Sequence, residues 1–336
     1  MREHKQSRRA LPHRTPVLVA AVLLLAAAVG VLAAQLIAMP AGTPTAAQAT
    51  PESAKTGTAD TILYEGQSYR RNTALTTVLL LGIDQSEELR VEAENAVGDN
   101  GRSDFMALLI LDKTTSTAKL LEISRDTMAE VKIYDASDRY LYSATMQITM
   151  QYAFASDARR SCRLTKNLVA KLLGGIPINY TVSLTMEGVT AMVDALGGVE
   201  LTIPEDYTAI DPLFVKGAAL TLDGTQAIRY VRYRDLETSS GNDARMVRQR
   251  QMLQAMGNAL RAGGQAAVDT VWNAAKPYME SDVDADTIHA MASYTLQDST
   301  YKVPGNTSEA EKHDEYYVDE DALQRLVIQL FYQPVG

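Results

Sequence analysis

Cysteine is almost absent from this sequence. Cys162 stands alone in 336 residues, which excludes an internal disulfide framework and any thiolate metal cage. Histidine is scarce too: His4 and His13 lie in the N-terminal tail, and His289 and His313 sit far from the densest motifs. That distribution argues against a Ser–His–Asp triad and against a histidine-built metal site. Positive charge is in deficit. The formal net charge is −9, and within the first 14 residues Arg2, Lys5, Arg8, Arg9 and Arg14 face only Glu3, so the remainder carries −13. A broad nucleic-acid surface is therefore excluded, and any cluster of arginines needs a local reason. The chain also lacks an internal repeat and a second linker.

What is present begins with a long apolar run. Residues 16–39 are uncharged and mostly Ala, Val and Leu. As a helix they would measure roughly 36 Å, enough to cross a ~30 Å hydrocarbon core with some tilt. The basic tail 1–15 before them is expected to stay in the cytoplasm, sending the rest of the chain across the cell membrane as a single-pass protein. A cleavable signal peptide is the alternative, with small residues at 47–49 available to a peptidase, but its apolar region is normally about 7–15 residues. Residues 40–60 are rich in Ala, Thr, Pro and Gly and cannot bury a core, so they read as a flexible stalk. Residues 61–336 are long enough for one extracytoplasmic domain with a sizeable core.

Within that domain, residues 76–83 (TTVLLLGI) form an apolar run of strand type, followed by Asp84. Residues 105–111 and 118–123 read as two more buried strands, and the short polar link between them predicts an antiparallel hairpin. Helices are predicted at about 146–155, 164–173, 187–196, 224–228, 244–261, 266–278, 285–296 and 322–331. Further strands are predicted at 179–184, 198–203 and 299–303, with a short extended run at 229–234. Helices interleaved with strands predict a layered α-β-α domain, its mixed central sheet flanked by helices, preceded by one transmembrane helix.

The polar residues that converge are arginine and aspartate. Asp84 ends one strand, Arg102 and Asp104 begin the next, and Arg125 and Asp126 follow the third. The hairpin would place Asp104 and Arg125 at the same sheet edge, where α/β proteins build their sites. If 230–234 (YVRYR) is extended, Arg232 and Arg234 share a face at a spacing suited to two phosphate groups. In the following helix Arg245, Arg248 and Gln249 head a stripe continued by Met252, Leu253, Met256 and Leu260, which should be buried. Guanidinium groups there need anions, and a ligand phosphate at the helix N-terminus would supply one. A purely structural arginine–carboxylate network is the competing reading. Asp84 and Asp104, being oxygen ligands only, suit a hard cation such as Mg²⁺ or Mn²⁺.

Seven segments in order, LLLGID (79–84), GRSD (101–104), LLEISRDT (120–127), LLGGIPINY (172–180), MVDALGGVELTIPED (192–206), LDGTQAIRYVRYRD (222–235) and RMVRQRQ (245–251), resemble the LytR–CpsA–Psr family of Gram-positive cell-envelope proteins. The anchor, stalk and exported domain match that family's layout. The resemblance implies a phosphotransferase that takes an undecaprenyl-diphosphate-linked glycan, of teichoic acid or capsule type. Such an enzyme moves the glycan with its proximal phosphate onto a sugar hydroxyl of peptidoglycan. By motif position it implies Asp84 and Asp104 as ligands of Mg²⁺ (or Mn²⁺). Arg102, Arg125, Arg232, Arg234, Arg245 and Gln249 would hold the diphosphate, Arg102, Arg125 and Asp126 would be catalytic, and Asp235 and Arg248 match further positions of the clamp. Met150, Met192, Met252 and Met256 are candidates for lining a lipid channel, with ordinary core packing the favoured alternative for each singly.

Three segments depart from the family pattern. Residues 241–245 read GNDAR where the family usually has Gly-Asp-x-Gly-Arg, residues 147–156 lack the common Lys-Ile-Asn pattern, and the loop between Asp84 and Arg102 is long and acidic. The same site could instead hydrolyse a polyprenyl diphosphate, or bind the lipid-linked precursor as a regulator without turnover.

Overall fold

The computed structural model describes residues 61–84, 101–233, 241–283, 294–309 and 314–335. The predicted span 16–39, the stalk and the acidic loop 85–100 lie outside the described residues. Among the described residues no helix is long and apolar enough to cross a membrane.

The chain runs through β1 (Thr61–Tyr64), β2 (Gln67–Arg71), β3 (Leu75–Asp84), β4 (Arg102–Asp112) and β5 (Thr117–Ile123). Next come β6 (Met128–Tyr134), β7 (Tyr140–Gln147), a 3-10 turn (Ile148–Tyr152), α1 (Ala158–Leu172), β8 (Tyr180–Thr185) and α2 (Met186–Ala195). Then follow β9 (Val199–Thr202), β10 (Ala219–Leu222), α3 (Gly224–Arg232), α4 (Gly241–Ala275) and β11 (Met279–Ser281). The last elements are β12 (Thr295–Lys302), β13 (Gly305–Glu309), β14 (Asp314–Val318), α5 (Glu320–Phe331) and β15 (Tyr332–Pro334).

Six strands form the central sheet in the order β11-β8-β3-β4-β5-β12. It is mixed: β3 pairs β8 and β5 pairs β12 in parallel, and the other pairs are antiparallel. The central strands β3 and β4 are buried along almost their whole length, as expected of strands covered on both faces. Val78, Leu80, Ala107 and Leu109 share one core with α2, α3 and α4 through Val189, Tyr230, Met252 and Met256. Leu79, Leu81, Met106 and Leu108 share the other with α1 and α5 through Val169 and Phe331. This is the layered mixed α/β arrangement that the sequence predicts.

Several elements differ from their sequence expectation. Residues 146–155, predicted helical, are instead the end of β7 and the 3-10 turn. There the amides of Ile148 and Thr149 donate to Thr127 O at 2.7 Å and Arg125 O at 3.2 Å, so tertiary partners replace the i→i−4 ladder. Arg229–Arg232 is not extended but completes α3. That helix opens with a capping box, Asp223 and Gln226 bonding each other's backbone amides, and buries Ala227, Tyr230 and Val231, an i, i+3, i+4 face that overrides the two-residue alternation of YVRYR. The predicted helices 244–261 and 266–278, by contrast, are both present within α4, which is interrupted between them at Gly264, whose φ of 60° and ψ of −154° are not helical, and residues 276–278 form a 3-10 turn. Residues 284–293 lie outside the described residues, and Thr295 and Leu296, placed at the end of a predicted helix, begin β12 instead.

Candidate functional site

The motif loops meet at one end of the sheet because β3, β4 and β5 are neighbours. Asp84, the last residue of β3, stands opposite Arg102, the first of β4. Gly82 pairs with Phe105 but Ile83 pairs with Ser103, so Asp104 is the extra residue of a β-bulge. Such a bulge re-aims one side chain and is common beside sites. Asp104 is bound by Arg125, whose Nη1 donates to Oδ1 at 2.8 Å, and by Thr149, whose Oγ1 donates to the same oxygen at 3.2 Å. Ser103 Oγ donates to Thr149 O at 3.4 Å, tying the bulge to the 3-10 turn.

Arg125 begins a tight turn in which Thr127 Oγ1 donates to Ser124 O at 2.6 Å. Its Nε lies 3.4 Å from Asp126 Oδ1, so one guanidinium spans two carboxylates. Gln147 Nε2 donates to Asp126 Oδ1 and to Asp314 O, both at 2.8 Å. The Tyr316 amide donates to Asp126 O at 2.8 Å, and Thr127 bridges Tyr316. The turn is therefore held from β7 on one side and β14 on the other. Gln147 and Thr149 were not identified from sequence, because a helical reading of 146–155 gave no reason to aim them at the sheet end.

Among the described residues, carboxylates are in excess at this end of the sheet. Asp84, Asp104 and Asp126 outnumber Arg102 and Arg125, and Asp84 and Asp104 are buried. Asp104 Oδ2 is buried with no hydrogen-bond partner among the described residues. Burial pushes the Asp104 carboxyl up to about 6; Arg125 and Arg102 oppose that shift and Asp84 adds to it. An orphaned carboxylate oxygen beside a second buried carboxylate fits a hard divalent cation. Among the described residues no group of three or more His, Cys, Asp or Glu surrounds one point, but Mg²⁺ usually takes one or two carboxylates and completes its shell with water and phosphate oxygens.

The raised value has a consequence for the metal-free protein. The ordinary value is 3.8 and the folded value about 6, so Asp104 favours folding while protonated. That stability is complete below about pH 3.8 and lost as pH rises through about 6, a change of about 3 kcal/mol. Chemical denaturation of wild type and Asp104→Asn across this range should show the wild type losing ground to the variant with rising pH. A constant difference between the two proteins would refute the raised value.

The helical arginines form a second group. Arg248 in α4 is 1% exposed. Its Nε donates to Tyr230 O at 2.9 Å and its Nη2 to Tyr233 O, and its guanidinium lies over the Tyr207 ring at 4.8 Å. Among the described residues it is held by main-chain carbonyls and aromatic faces, and ties α4 to the C-terminal end of α3. Arg232 is half-buried at that end of α3. Arg234 and Asp235, and the side chains of Arg245 and Gln249, lie outside the described residues. Met192, Met252 and Met256 pack in one core while Met150 packs against the other, so the four do not line a common channel.

The LytR_cpsA_psr family model matches residues 42–331. The chain belongs to this family. It is 33% identical over 180 residues to a Bacillus mycoides protein named polyisoprenyl-teichoic acid–peptidoglycan teichoic acid transferase TagU, covering 54% of this chain and 51% of that one. The Bacillus anthracis protein of the same name is 32% identical over 178 residues, covering 53% and 50%. The chain thus spans about half the length of the curated relatives it matches. Among solved structures, the Listeria innocua protein Lin1025 aligns with a TM-score of 0.56 at 24% identity, covering 77% of this chain and 97% of that one. Bacillus subtilis TagU aligns at 0.52 and 21%, covering 77% and 96%. These likenesses establish the fold. Within this LytR_cpsA_psr domain, the bulged Asp104, Arg125 and their Gln147 and Thr149 supports are the most fully defined part of the site.

Proposed function

We propose that this chain is a membrane-anchored transferase with its domain outside the cytoplasm. It would take a glycopolymer from a polyprenyl diphosphate carrier and join it, with its proximal phosphate, to a sugar hydroxyl of peptidoglycan. The observation that carries the reading is the pair of buried Asp104 and partly exposed Arg125 at the sheet end, with an orphaned carboxylate oxygen and Asp84 and Arg102 beside it. Family membership and the transferase names of the relatives support the same chemistry.

Arg125 and Arg102 would hold non-bridging oxygens of the diphosphate, and Asp126 keeps Arg125 in orientation. Arg232, Arg234, Arg245 and Gln249 would hold the distal phosphate. The acceptor hydroxyl attacks the phosphorus that carries the glycan and gives up its proton to solvent, the bond from that phosphorus to the bridging oxygen breaks, and polyprenyl phosphate leaves with that oxygen and the bonding electrons. Asp84 and Asp104 are the residues that would hold Mg²⁺ or Mn²⁺, which when bound neutralises charge developing on the phosphate oxygens.

The decisive experiment supplies the full chain with a synthetic polyprenyl-diphosphate sugar, Mg²⁺ or chelator, and a peptidoglycan oligomer, and reads products by mass spectrometry. Phosphoglycan on the oligomer, lost with chelator, is expected. Free glycan phosphate alone would assign a hydrolase, and binding without conversion a regulator. Gln147→Ala is expected to lower turnover roughly tenfold through displacement of Asp126 and Arg125, with unchanged melting temperature. Unchanged turnover would remove Gln147 from the supports of the site.

A further inference from the structure

Of the seven large apolar side chains exposed among the described residues, two stand on one strand that grows out of the site. Tyr140 is 52% exposed and Tyr142 is 42% exposed, both on β7. The β6–β7 hairpin pairs from Met128 opposite Gln147 at its base to Tyr134 opposite Tyr140 near its tip. Its base is the site itself: Arg125 and Asp126 immediately precede β6, and Gln147 at the end of β7 donates to Asp126. At about 3.3 Å per residue, Tyr142 and Tyr140 lie roughly 17 and 23 Å along the strand from Gln147.

The hairpin is held firmly where the tyrosines stand. Asp135 Oδ1 accepts from the amides of Ser137 and Arg139, both at 2.9 Å, closing the tip. Arg160 from α1 lies over the Tyr134 ring at 4.7 Å and pairs with Asp138 at 2.8 Å. Tyr134 meets Tyr140 edge to face, with ring centroids 5.8 Å apart. Exposed rings on a fixed ribbon bind at low entropic cost. Their chemistry is selective as well: each tyrosine offers an apolar face and a phenol, and the Tyr140 hydroxyl lies 3.0 Å from the Ser143 hydroxyl. A sugar ring has the matching surface, an apolar C–H face edged by hydroxyls, whereas an aliphatic lipid chain would leave the phenols without a role.

We infer that Tyr140 and Tyr142 form a carbohydrate-binding platform that seats the acceptor glycan strand, leading it along the β6–β7 hairpin toward the turn that carries Arg125. The inference rests on the transferase reading for the identity of the acceptor, while binding of the glycan is measurable without turnover. Both tyrosines stand toward the tip of the hairpin, well along β7 from Gln147 and the Arg125 turn, so their loss is expected to act on the acceptor side.

The test uses the full chain in lipid nanodiscs and a soluble peptidoglycan glycan oligomer as probe. Calorimetry measures binding of the oligomer, and steady-state kinetics with a polyprenyl-diphosphate sugar measure KM for each substrate. The double variant Tyr140→Ala/Tyr142→Ala is expected to bind the oligomer roughly tenfold more weakly and to raise the acceptor KM by a similar factor. Donor affinity and turnover at saturating acceptor should not change. The pair Tyr140→Phe/Tyr142→Phe keeps both rings and should retain most of the binding, and Tyr278→Ala, an exposed tyrosine before the edge strand β11, should have no effect. Unaltered oligomer binding in the double alanine variant overturns the platform, as does loss in the phenylalanine pair equal to that in the alanine pair. A wild-type protein that does not bind the oligomer overturns it too, with donor conversion still judging the transferase reading. Binding that depends on the tyrosines in a protein that transfers nothing would keep the platform and discard the transferase.

Discussion

Arg125→Ala is expected to lower turnover roughly 10²–10³-fold while leaving a folded domain. Arg125 is placed by two carboxylates and by the turn that begins with it, and its side chain is 20% exposed. Two of its nitrogens are engaged by Asp104 and Asp126, and the exposed part of the guanidinium is available to a phosphate. Binding of this kind needs a planar fork whose direction is fixed before the ligand arrives. Lysine at this position should therefore restore little: one ammonium cannot span both acids and still present a donor pair. Folding should survive because Asp104 can respond. Arg125 is the strongest influence holding its carboxyl down, so without it the acid shifts further toward its neutral form, which lowers the cost of leaving it buried. Single-turnover rates with saturating donor, read beside thermal unfolding, separate the two effects. Near-normal turnover of Arg125→Ala would end its assignment to the clamp.

The central sheet was legible in the sequence because β3, β4 and β5 are buried on both faces or nearly so, and their apolar runs carry no competing period. Their short connection also made the Asp104–Arg125 juxtaposition legible, since an antiparallel hairpin leaves little freedom to its ends. The bulge that re-aims Asp104 was not, because register depends on the partner strand. Nor was the β6–β7 hairpin, in which only Val131, Ile133 and Asp135 are well buried and the rest of the alternation is broken by exposed tyrosines and charges. That loss hid Gln147 and Thr149. Where two periods coexist, as in residues 227–233, the helical one prevailed: a capped helix buries Tyr230 against Phe214 and Tyr207 at centroid distances of 5.4 and 5.9 Å, which an extended segment would forgo. The buried stripe headed by Arg248 was readable from spacing, but its partners were not, because main-chain carbonyls have no sequence signature.

Arg248→Ala should act first on stability, by ~3–5 kcal/mol. Two hydrogen bonds from an ionised group to carbonyls of Tyr230 and Tyr233 would be lost, at about 1.5–3 kcal/mol each. The substitution also empties the space over Tyr207, and the surrounding packing relaxes only partly. For a domain of this size such a loss lowers the melting temperature by roughly 6–20 °C. Lysine would keep the charge but cannot reach both carbonyls while lying flat on the ring, so it should recover less than half of the stability. Arg248 also anchors the end of α3 next to Arg232, so donor affinity should weaken with the loosening of that end. The order of events distinguishes this from direct contact with a phosphate. If Arg248 positions the neighbouring segment, denaturation midpoint and donor affinity fall together. If it binds the diphosphate directly, donor affinity collapses in a protein that unfolds like the wild type, and the carbonyl contacts would then carry little energy.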